Sequence, residues 1–260
     1  MKWGVSKVSI PVFDLEESIN FYNFILGNDI ETKIDDVDFL DEYYICGGNI
    51  ELRLYKLKNE LSNNHSSQSR RTFPTLAINN LDLIVKSLKD DGINYSINKH
   101  DKSIIIQEPG LNFIELINLE TSKKISNKEE NNKWNFHHIN LECYDVRSSV
   151  NFVSQYLKMK EGAWKAPIEL GKVNIKPNQL AIFNLDDNHS GIHINKADFT
   201  FSWRNNFMHN PTIGGHPAFN VKDIKLFIKK LKSSDIAVTD AKIYAMPNIH
   251  QIYFFDPSAN

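Results

Sequence analysis

Cysteine is scarce in this chain of 260 residues, which has only Cys46 and Cys143, each inside an apolar run. Two such residues are typical of small buried hydrophobes, so a disulfide framework and a thiolate metal site are excluded. Long hydrophobic runs are also missing: no stretch approaches the roughly 18 apolar residues of a membrane span, and the N-terminus lacks the apolar core of a signal peptide. We therefore expect a cytoplasmic protein without a membrane partner.

Charge of one sign does not dominate either. Lys and Arg number 30 against 32 Asp and Glu, which gives a formal net charge of -2. Because no basic block exceeds a short pair, the chain lacks the electrostatic footprint of a nucleic-acid-binding protein. At 41% hydrophobic and 24% charged residues, the composition is typical of one large or two medium globular domains.

The chain contains an internal repeat. Three pairs of segments align without gaps: 7–14 with 138–145, 73–78 with 216–221, and 108–112 with 256–260. Within each half, an alternating strand pattern leads twice into a helical pattern, and short strand patterns follow each helix. The sequence predicts an α+β fold of four βαβββ units, with domains at 1–120 and 134–260 joined by a polar linker at 121–133.

These motifs resemble the vicinal oxygen chelate superfamily, which contains glyoxalase I, bleomycin-resistance proteins and extradiol dioxygenases. The resemblance is carried by three segments that together span both halves: 8–27, 216–223 and 253–260. It implies that the four βαβββ units form two cup-shaped mixed β-sheet domains, with a divalent metal in a cup. Four units in one chain resemble the extradiol dioxygenases, whose working metal lies in the second domain, so we expect the first domain to be metal-free.

His138 and His216 are the expected metal ligands, because each lies near the start of a repeated strand. Their first-half counterparts are Lys7 and Phe73, which make no plausible metal pair. The family's third ligand is a carboxylate on the final strand. Glu115 fills that place in the first half and is expected to pair with Lys7.

The corresponding place in the second half falls three residues beyond Asn260. Three explanations stay open: the final strand was lost by truncation, another residue completes the site, or the metal was abandoned. An open strand edge is an aggregation liability, which favours truncation. His193 is the candidate for completing the metal site, because 191–194 aligns locally with 49–52.

Other residues are expected around this site. The resemblance implies that His189 is an acid-base or supporting histidine and that Tyr253 donates a hydrogen bond to substrate, whereas Tyr244 stands where extradiol enzymes carry a general-acid histidine. His137 should face outward, because neighbouring strand residues alternate. The aromatic segment 198–209 is either a lid or a surface strand. If it is a lid, Trp203 and Arg204 would bind an acidic or aromatic substrate, and Phe255 would line the cavity.

The resulting expectation is a metal-dependent enzyme acting on a small molecule, most like an extradiol ring-cleaving dioxygenase with Fe(II). The first alternative is a glyoxalase-like lyase or isomerase that uses Zn(II), Mn(II) or Ni(II) as a Lewis acid. The second is a metal-free binding protein that resembles the bleomycin-resistance proteins. The sequence leaves open whether the chain forms a homo-oligomer.

Overall fold

The computed structural model describes residues 2–27, 31–33, 42–47, 49–57, 69–98, 102–120, 134–164, 176–244, 246 and 248–260. The predicted linker at 121–133 lies outside these residues. No helix among them is both long and apolar enough to cross a membrane.

The first half contains two complete βαβββ units on one sheet. The elements of the first unit are β1 (Trp3–Val12), α1 (Leu15–Leu26), β2 (Glu31–Lys33), β3 (Glu42–Gly47) and β4 (Ile50–Lys56). Those of the second are β5 (Phe73–Ile78), α2 (Leu81–Asp90), β6 (Tyr95–Asn98), β7 (Ser103–Gln107) and β8 (Phe113–Asn118). The eight strands lie in the order β2-β3-β4-β1-β5-β8-β7-β6.

The second half repeats this arrangement with one inserted helix. Its elements are β9 (Trp134–Cys143), α3 (Val146–Tyr156), β10 (Leu180–Asn184), β11 (Gly191–Lys196), the insertion α4 (Phe201–Asn205), β12 (His216–Val221), α5 (Ile224–Lys232), β13 (Thr239–Lys242) and β14 (Gln251–Tyr253). Four strands form a sheet in the order β10-β11-β9-β12, and β13 pairs with β14.

Both larger sheets are mixed, which confirms the predicted α+β class. The pairs β1 with β4, β5 with β8, and β9 with β11 are parallel, and their other pairs are antiparallel. The repeat is incomplete in the second half. Between α3 and β10, the Gly162 N–H donates to the Ile182 carbonyl at 2.8 Å, and residues 165–175 lie outside the described residues. Among the described residues, no counterpart of β8 lies between β12 and β14.

Three helices begin in the same way, as the repeat predicts. The side chains of Asp14, Asp145 and Asp223 each accept backbone N–H bonds from the first turn of α1, α3 and α5. An N-cap carboxylate satisfies otherwise unpaired N–H groups and stabilises a helix by about 1 kcal/mol. These caps fix where the chain turns from strand to helix, so the strands keep their register against the core.

Two equivalent turns join the halves. Glu108 accepts hydrogen bonds from the backbone and side chain of Asn112, whose Nδ2 also donates to the Glu142 carbonyl at 2.8 Å. In the second half, Asp256 accepts from Asn260 in the same way, and Asn260 Nδ2 donates to the Pro11 carbonyl at 2.8 Å. Each turn therefore bonds to the first strand of the opposite half, at the positions that the repeat makes equivalent.

Candidate functional site

A cavity of about 620 Å³ opens in the second half. It brings together the three expected metal ligands and several other predicted residues. Its lining includes His138, Asn140, Trp164, His193, Asn195, Phe201, Arg204, His216, Tyr244, Gln251 and Tyr253. The histidines that the sequence singled out thus line one cavity in the second half of the chain.

The imidazoles come from three adjacent strands. His138 lies in the middle of β9 rather than at its start, and it stacks on His193 of β11, with 3.9 Å between ring centroids and 15° between planes. The ring of His216, the first residue of β12, lies 5.9 Å from that of His138 at 67°. All three side chains lie on one face of the sheet because Asn140 pairs with both His193 and His216, two residues beyond His138.

The prediction that His137 faces outward is wrong. Strand β9 bulges at this residue, since Phe136 pairs with Phe219 while His138 pairs with Ala218. A bulge breaks the alternation of side chains, and His137 is buried with its Nδ1 2.7 Å from Nδ1 of His138. Strand β1 has the same irregularity at Ser6, between Val5 and Lys7, so the bulge belongs to the repeat.

A chain of contacts fixes the tautomers of this histidine pair. His137 Nε2 lies 3.0 Å from the Asn188 carbonyl, which only accepts, so that nitrogen carries a proton. In the neutral ring, Nδ1 of His137 is then an acceptor, and His138 Nδ1 must donate to it. His138 consequently holds its Nε2 lone pair unprotonated, which is the form that ligates a metal.

Burial keeps these rings neutral. It lowers the pKa of His216 to about 4 and that of His193 to about 3, and it holds the pKa of His138 well below its ordinary value. Neighbouring imidazoles add to the shift for His138 and His193. Because metal ions bind unprotonated imidazole, these rings need not lose a proton at neutral pH before binding one.

The donor set fits a divalent ion only in part. Lone pairs of imidazole lie in the ring plane, so the parallel rings of His138 and His193 direct theirs along parallel lines rather than to one point. His193 Nε2 also donates to the His189 carbonyl at 2.7 Å. Among the described residues, no set of three or more His, Cys, Asp and Glu side chains converges as a metal site. His138 and His216, by contrast, meet at 67° between ring planes.

Strand register corrects the local alignment that suggested His193. His193 pairs with Asn140, and Ser9, the first-half counterpart of Asn140, pairs with Arg53. The counterpart of His193 is therefore Arg53 rather than Glu51. Glu51 and Arg53 share a face, so the two-residue shift keeps His193 directed to the same side of the sheet.

The first half carries an ion pair at its equivalent position. Lys7 Nζ lies 3.3 Å from Glu115 Oε2, and both side chains are buried. Thr75 and Ser103 also donate to the Glu115 carboxylate, at 2.5 and 2.6 Å. The expected pairing is confirmed. An ammonium occupies the neighbourhood in which a metal would need lone pairs, because lysine offers donors only.

The segment 198–209 contributes one helix face to the cavity. Phe201 and Arg204 of α4 line it, and Asp198 forms an ion pair with Arg204. Trp203 is 83% exposed and does not line the cavity. Phe255 also lies outside it, with its ring 4.6 Å from that of His209. Of the three predicted substrate contacts, the structure brings only Arg204 to the site.

The two predicted catalytic residues take different positions. Tyr253 lines the cavity beside His216, at 6.0 Å between ring centroids, and its hydroxyl donates to Gln251 at 3.0 Å. Tyr244 also lines it and packs against Phe201. His189 does not. Its ring contacts Trp164 and borders a separate cavity beside residues 158–163.

A second cleft of about 480 Å³ reaches the same histidines from the side of α1. It lies between β12 and β14 and is lined by His138, His216 and Tyr253, by apolar side chains, and by polar ones that include His250 and Asp256. In the first half, β8 with Glu115 occupies the space between β5 and β7. The cleft is thus located where the repeat would place the third metal ligand.

No protein-family model matches the chain, and no curated protein matches it. Solved structures do match over nearly all of its length. The 2,3-dioxygenase LapB from Pseudomonas sp. KL28 has a TM-score of 0.67 at 14% identity, over 100% of this chain and 89% of that one. The 2,2',3-trihydroxybiphenyl 1,2-dioxygenase from Sphingomonas wittichii strain RW1 has a TM-score of 0.62 at 11% identity, over 98% and 87%.

A Mn(II)-bound glyoxalase from Novosphingobium aromaticivorans matches as well, with a TM-score of 0.59 at 14% identity, over 98% of this chain and 79% of that one. The chain therefore has the vicinal oxygen chelate fold, as its repeated motifs predicted. At these identities the likeness establishes the fold, and both the dioxygenase and glyoxalase branches share it.

Sequence reasoning missed three residues that shape the site. His137 was hidden by its bulge, Asn140 is a common residue in a strand, and Trp164 borders the undescribed segment 165–175. Of these three, only Asn140 could have been predicted. It lies two residues after His138 in a predicted strand, so the two side chains share one face of the sheet.

Proposed function

We propose that this protein is a metal-dependent enzyme that acts on an aromatic vicinal diol, most like an extradiol dioxygenase. The observation that supports this most is the cluster of neutral imidazoles of His138, His193 and His216 on one wall of a cavity. Aromatic side chains that also line this cavity, Phe201 and Tyr244, suit a flat ring.

His138 and His216 would hold the divalent ion, with His138 binding through Nε2. When bound, an ion such as Fe(II) would chelate the two vicinal oxygens of a catechol and leave a position for dioxygen. The third ligand would come from the side of the 480 Å³ cleft, where the repeat places the counterpart of Glu115.

His193 would serve as the proton acceptor rather than as a third ligand. Its Nε2 proton is committed to the His189 carbonyl, so Nδ1 is the basic nitrogen and can take a proton from a substrate hydroxyl. A pKa of about 3 makes it a weak base, so the substrate hydroxyl would have to be made more acidic for the transfer, as its binding to a divalent ion would do. His189 would then orient His193 through its backbone, and Tyr253 would face the substrate oxygens.

Two experiments on one preparation test this function. Protein loaded anaerobically with Fe(II) should consume dioxygen when catechol is added and form a coloured ring-cleavage product. A His193→Gln variant should keep its metal and lose about 10²-fold in kcat, the usual contribution of a general base. Equal rates for the variant and the wild type would contradict the assigned role.

A metal-free small-molecule-binding protein is the second candidate, favoured by the lack of a third ligand among the described residues. Binding of catechol to Fe(II)-loaded protein without turnover would support this second candidate. Turnover of a carbonyl substrate without oxygen consumption, in protein loaded with Zn(II), Mn(II) or Ni(II), would instead favour a glyoxalase-like lyase or isomerase.

A further inference from the structure

Unpaired polar atoms concentrate around the 620 Å³ cavity. Among the described residues, eight buried side-chain nitrogen or oxygen atoms have no hydrogen-bond partner. Four of them belong to side chains that line this cavity: Asn140 Oδ1, Asn195 Oδ1, Trp164 Nε1 and Gln251 Nε2. Buried polar groups in proteins are nearly always paired, so this cluster requires an explanation. One explanation is that a ligand pairs with these atoms.

The two asparagines are the informative members, since both are more than nine-tenths buried. Asn140 Nδ2 donates to the Pro211 carbonyl at 3.3 Å, and Asn195 Nδ2 donates to the Thr212 carbonyl at 3.0 Å. A carbonyl only accepts, so these bonds settle which end of each carboxamide is nitrogen. Both oxygens are therefore acceptors without a donor.

Their place in the sheet puts them beside the histidines. Asn140 lies two residues after His138 and pairs in register with His193 and His216. Asn195 lies two residues after His193 on the same strand face. The acceptors thus form the part of the cavity floor that continues from the imidazole cluster toward residues 211–212.

The charges around this floor also favour a donor. Glu142 pairs with Asn195 in register, and its carboxylate accepts from the Gly214 N–H and lies 3.8 Å from Arg71. Two amide oxygens that lack a donor disfavour an anionic substituent, and the Glu142 carboxylate is already paired. Lys196, a cation that lines the cavity, lies with its Nζ 5.6 Å from the centroid of the Tyr144 ring. Arg204, the cation expected to attract an acidic substrate, is already paired with Asp198.

We propose that Asn140 and Asn195 form a recognition site for a ligand that carries a small hydrogen-bond donor, a hydroxyl or a primary amine, on a side arm directed away from the histidines. This site would determine which ligands the cavity accepts. The proposal rests on the proposed function only because catechols are among the probes. Trp164 Nε1 and Gln251 Nε2 supply donors to the ligand's oxygens.

The burial of the two asparagine oxygens explains why a donor on the ligand would strengthen binding. A ligand hydrogen bond usually replaces a bond to water, and the net gain is small. Each asparagine oxygen here exposes less than 1 Å², so no water bond has to be broken. The same closure limits the donor's size, because the group must enter between side chains that now cover the oxygens.

Matched ligand pairs test the proposal by isothermal titration. The first pair is 3,4-dihydroxybenzyl alcohol and 4-methylcatechol, and the second is 4-hydroxybenzyl alcohol and 4-methylphenol, which lacks the vicinal diol. In both pairs the hydroxymethyl compound should bind about tenfold more tightly to wild-type protein, as one extra hydrogen bond allows. The carboxylate 3,4-dihydroxybenzoate should bind more weakly than either catechol.

Variants separate recognition from folding. Asn195→Leu should reduce the preference to within twofold, whereas Asn195→Asp keeps an acceptor and should retain it. Asn151→Leu, at an exposed position of α3 that lines neither the 620 Å³ cavity nor the 480 Å³ cleft, should leave the preference unchanged. A wild-type ratio within twofold, a preference for the methyl compounds, or no binding of any probe would overturn the proposal. A preserved ratio in the phenol pair without oxygen consumption on catechol would overturn only the proposed function.

Discussion

At the scale of single residues, His137 controls which nitrogen of His138 is available. Replacing it with leucine removes the acceptor that holds the proton on His138 Nδ1. Loss of such a supporting partner lowers metal affinity by roughly 10–100-fold. We expect His137→Leu to show this loss in a Mn(II) titration.

The control is His209→Gln, which changes a histidine that contacts Thr239 through Nδ1 and lines neither the 620 Å³ cavity nor the 480 Å³ cleft, and which should bind Mn(II) as the wild type does. An affinity of His137→Leu equal to that of the control would show that the contact between the two imidazoles has no role at the metal.

Lys7 and Glu115 allow a second prediction at this scale. Lys7→Met leaves a fully buried carboxylate without its cation, which destabilises proteins by about 3–5 kcal/mol. Urea unfolding should show this loss. The double variant Lys7→Met/Glu115→Gln should recover most of it, because no uncompensated charge remains. A double variant no more stable than the single one would mean that the charge is not the cause.

At the scale of elements, the equivalent turns at 108–112 and 256–260 hold the halves together by the same bonds. Asn112 is 1% exposed, and Asn260 is half-buried. Removing a buried partner costs about 1–3 kcal/mol, because the groups left behind stay unpaired. We expect Asn112→Ala to lower the free energy of unfolding by this amount and Asn260→Ala by less. Equal effects would indicate that burial does not set the cost.

The secondary-structure elements also show how much of the fold could be predicted from the sequence. The repeat and the alternating strand patterns predicted β1, α1, β9 and β12, because both can be read directly from the sequence. The bulge at His137 was not predictable, since it appears only as a shift in pairing with β12. The stacking of His193 on His138 was missed for a similar reason: register between distant strands decides it, and a local alignment placed His193 two residues away.

At the scale of the whole molecule, the buried histidines predict how stability depends on pH. The unfolded chain takes up protons near pH 6.5, whereas His216 in the folded protein does so only near pH 4 and His193 near pH 3. Their folded pKa values are depressed, so stability is highest above pH 6.5 and falls as the pH drops toward 4. The slope should approach about 1.4 kcal/mol per pH unit for each histidine.

Urea unfolding of EDTA-treated protein at pH 7.5, 6.0 and 5.0 measures this slope, above the range in which most carboxylates titrate. His216→Gln should make it shallower by the share of one histidine. The same slope in the variant and the wild type would exclude His216 as its source.

The central claim is that the second half, and not the first, holds a divalent metal through His138 and His216. The most direct test is to load the protein anaerobically with Fe(II) or Mn(II), remove free metal and measure the metal bound per chain. We predict close to one ion in the wild type and in His209→Gln, and almost none in His138→Ala or His216→Ala. No bound metal in the wild type, or as much metal in either histidine variant as in the wild type, would contradict the claim.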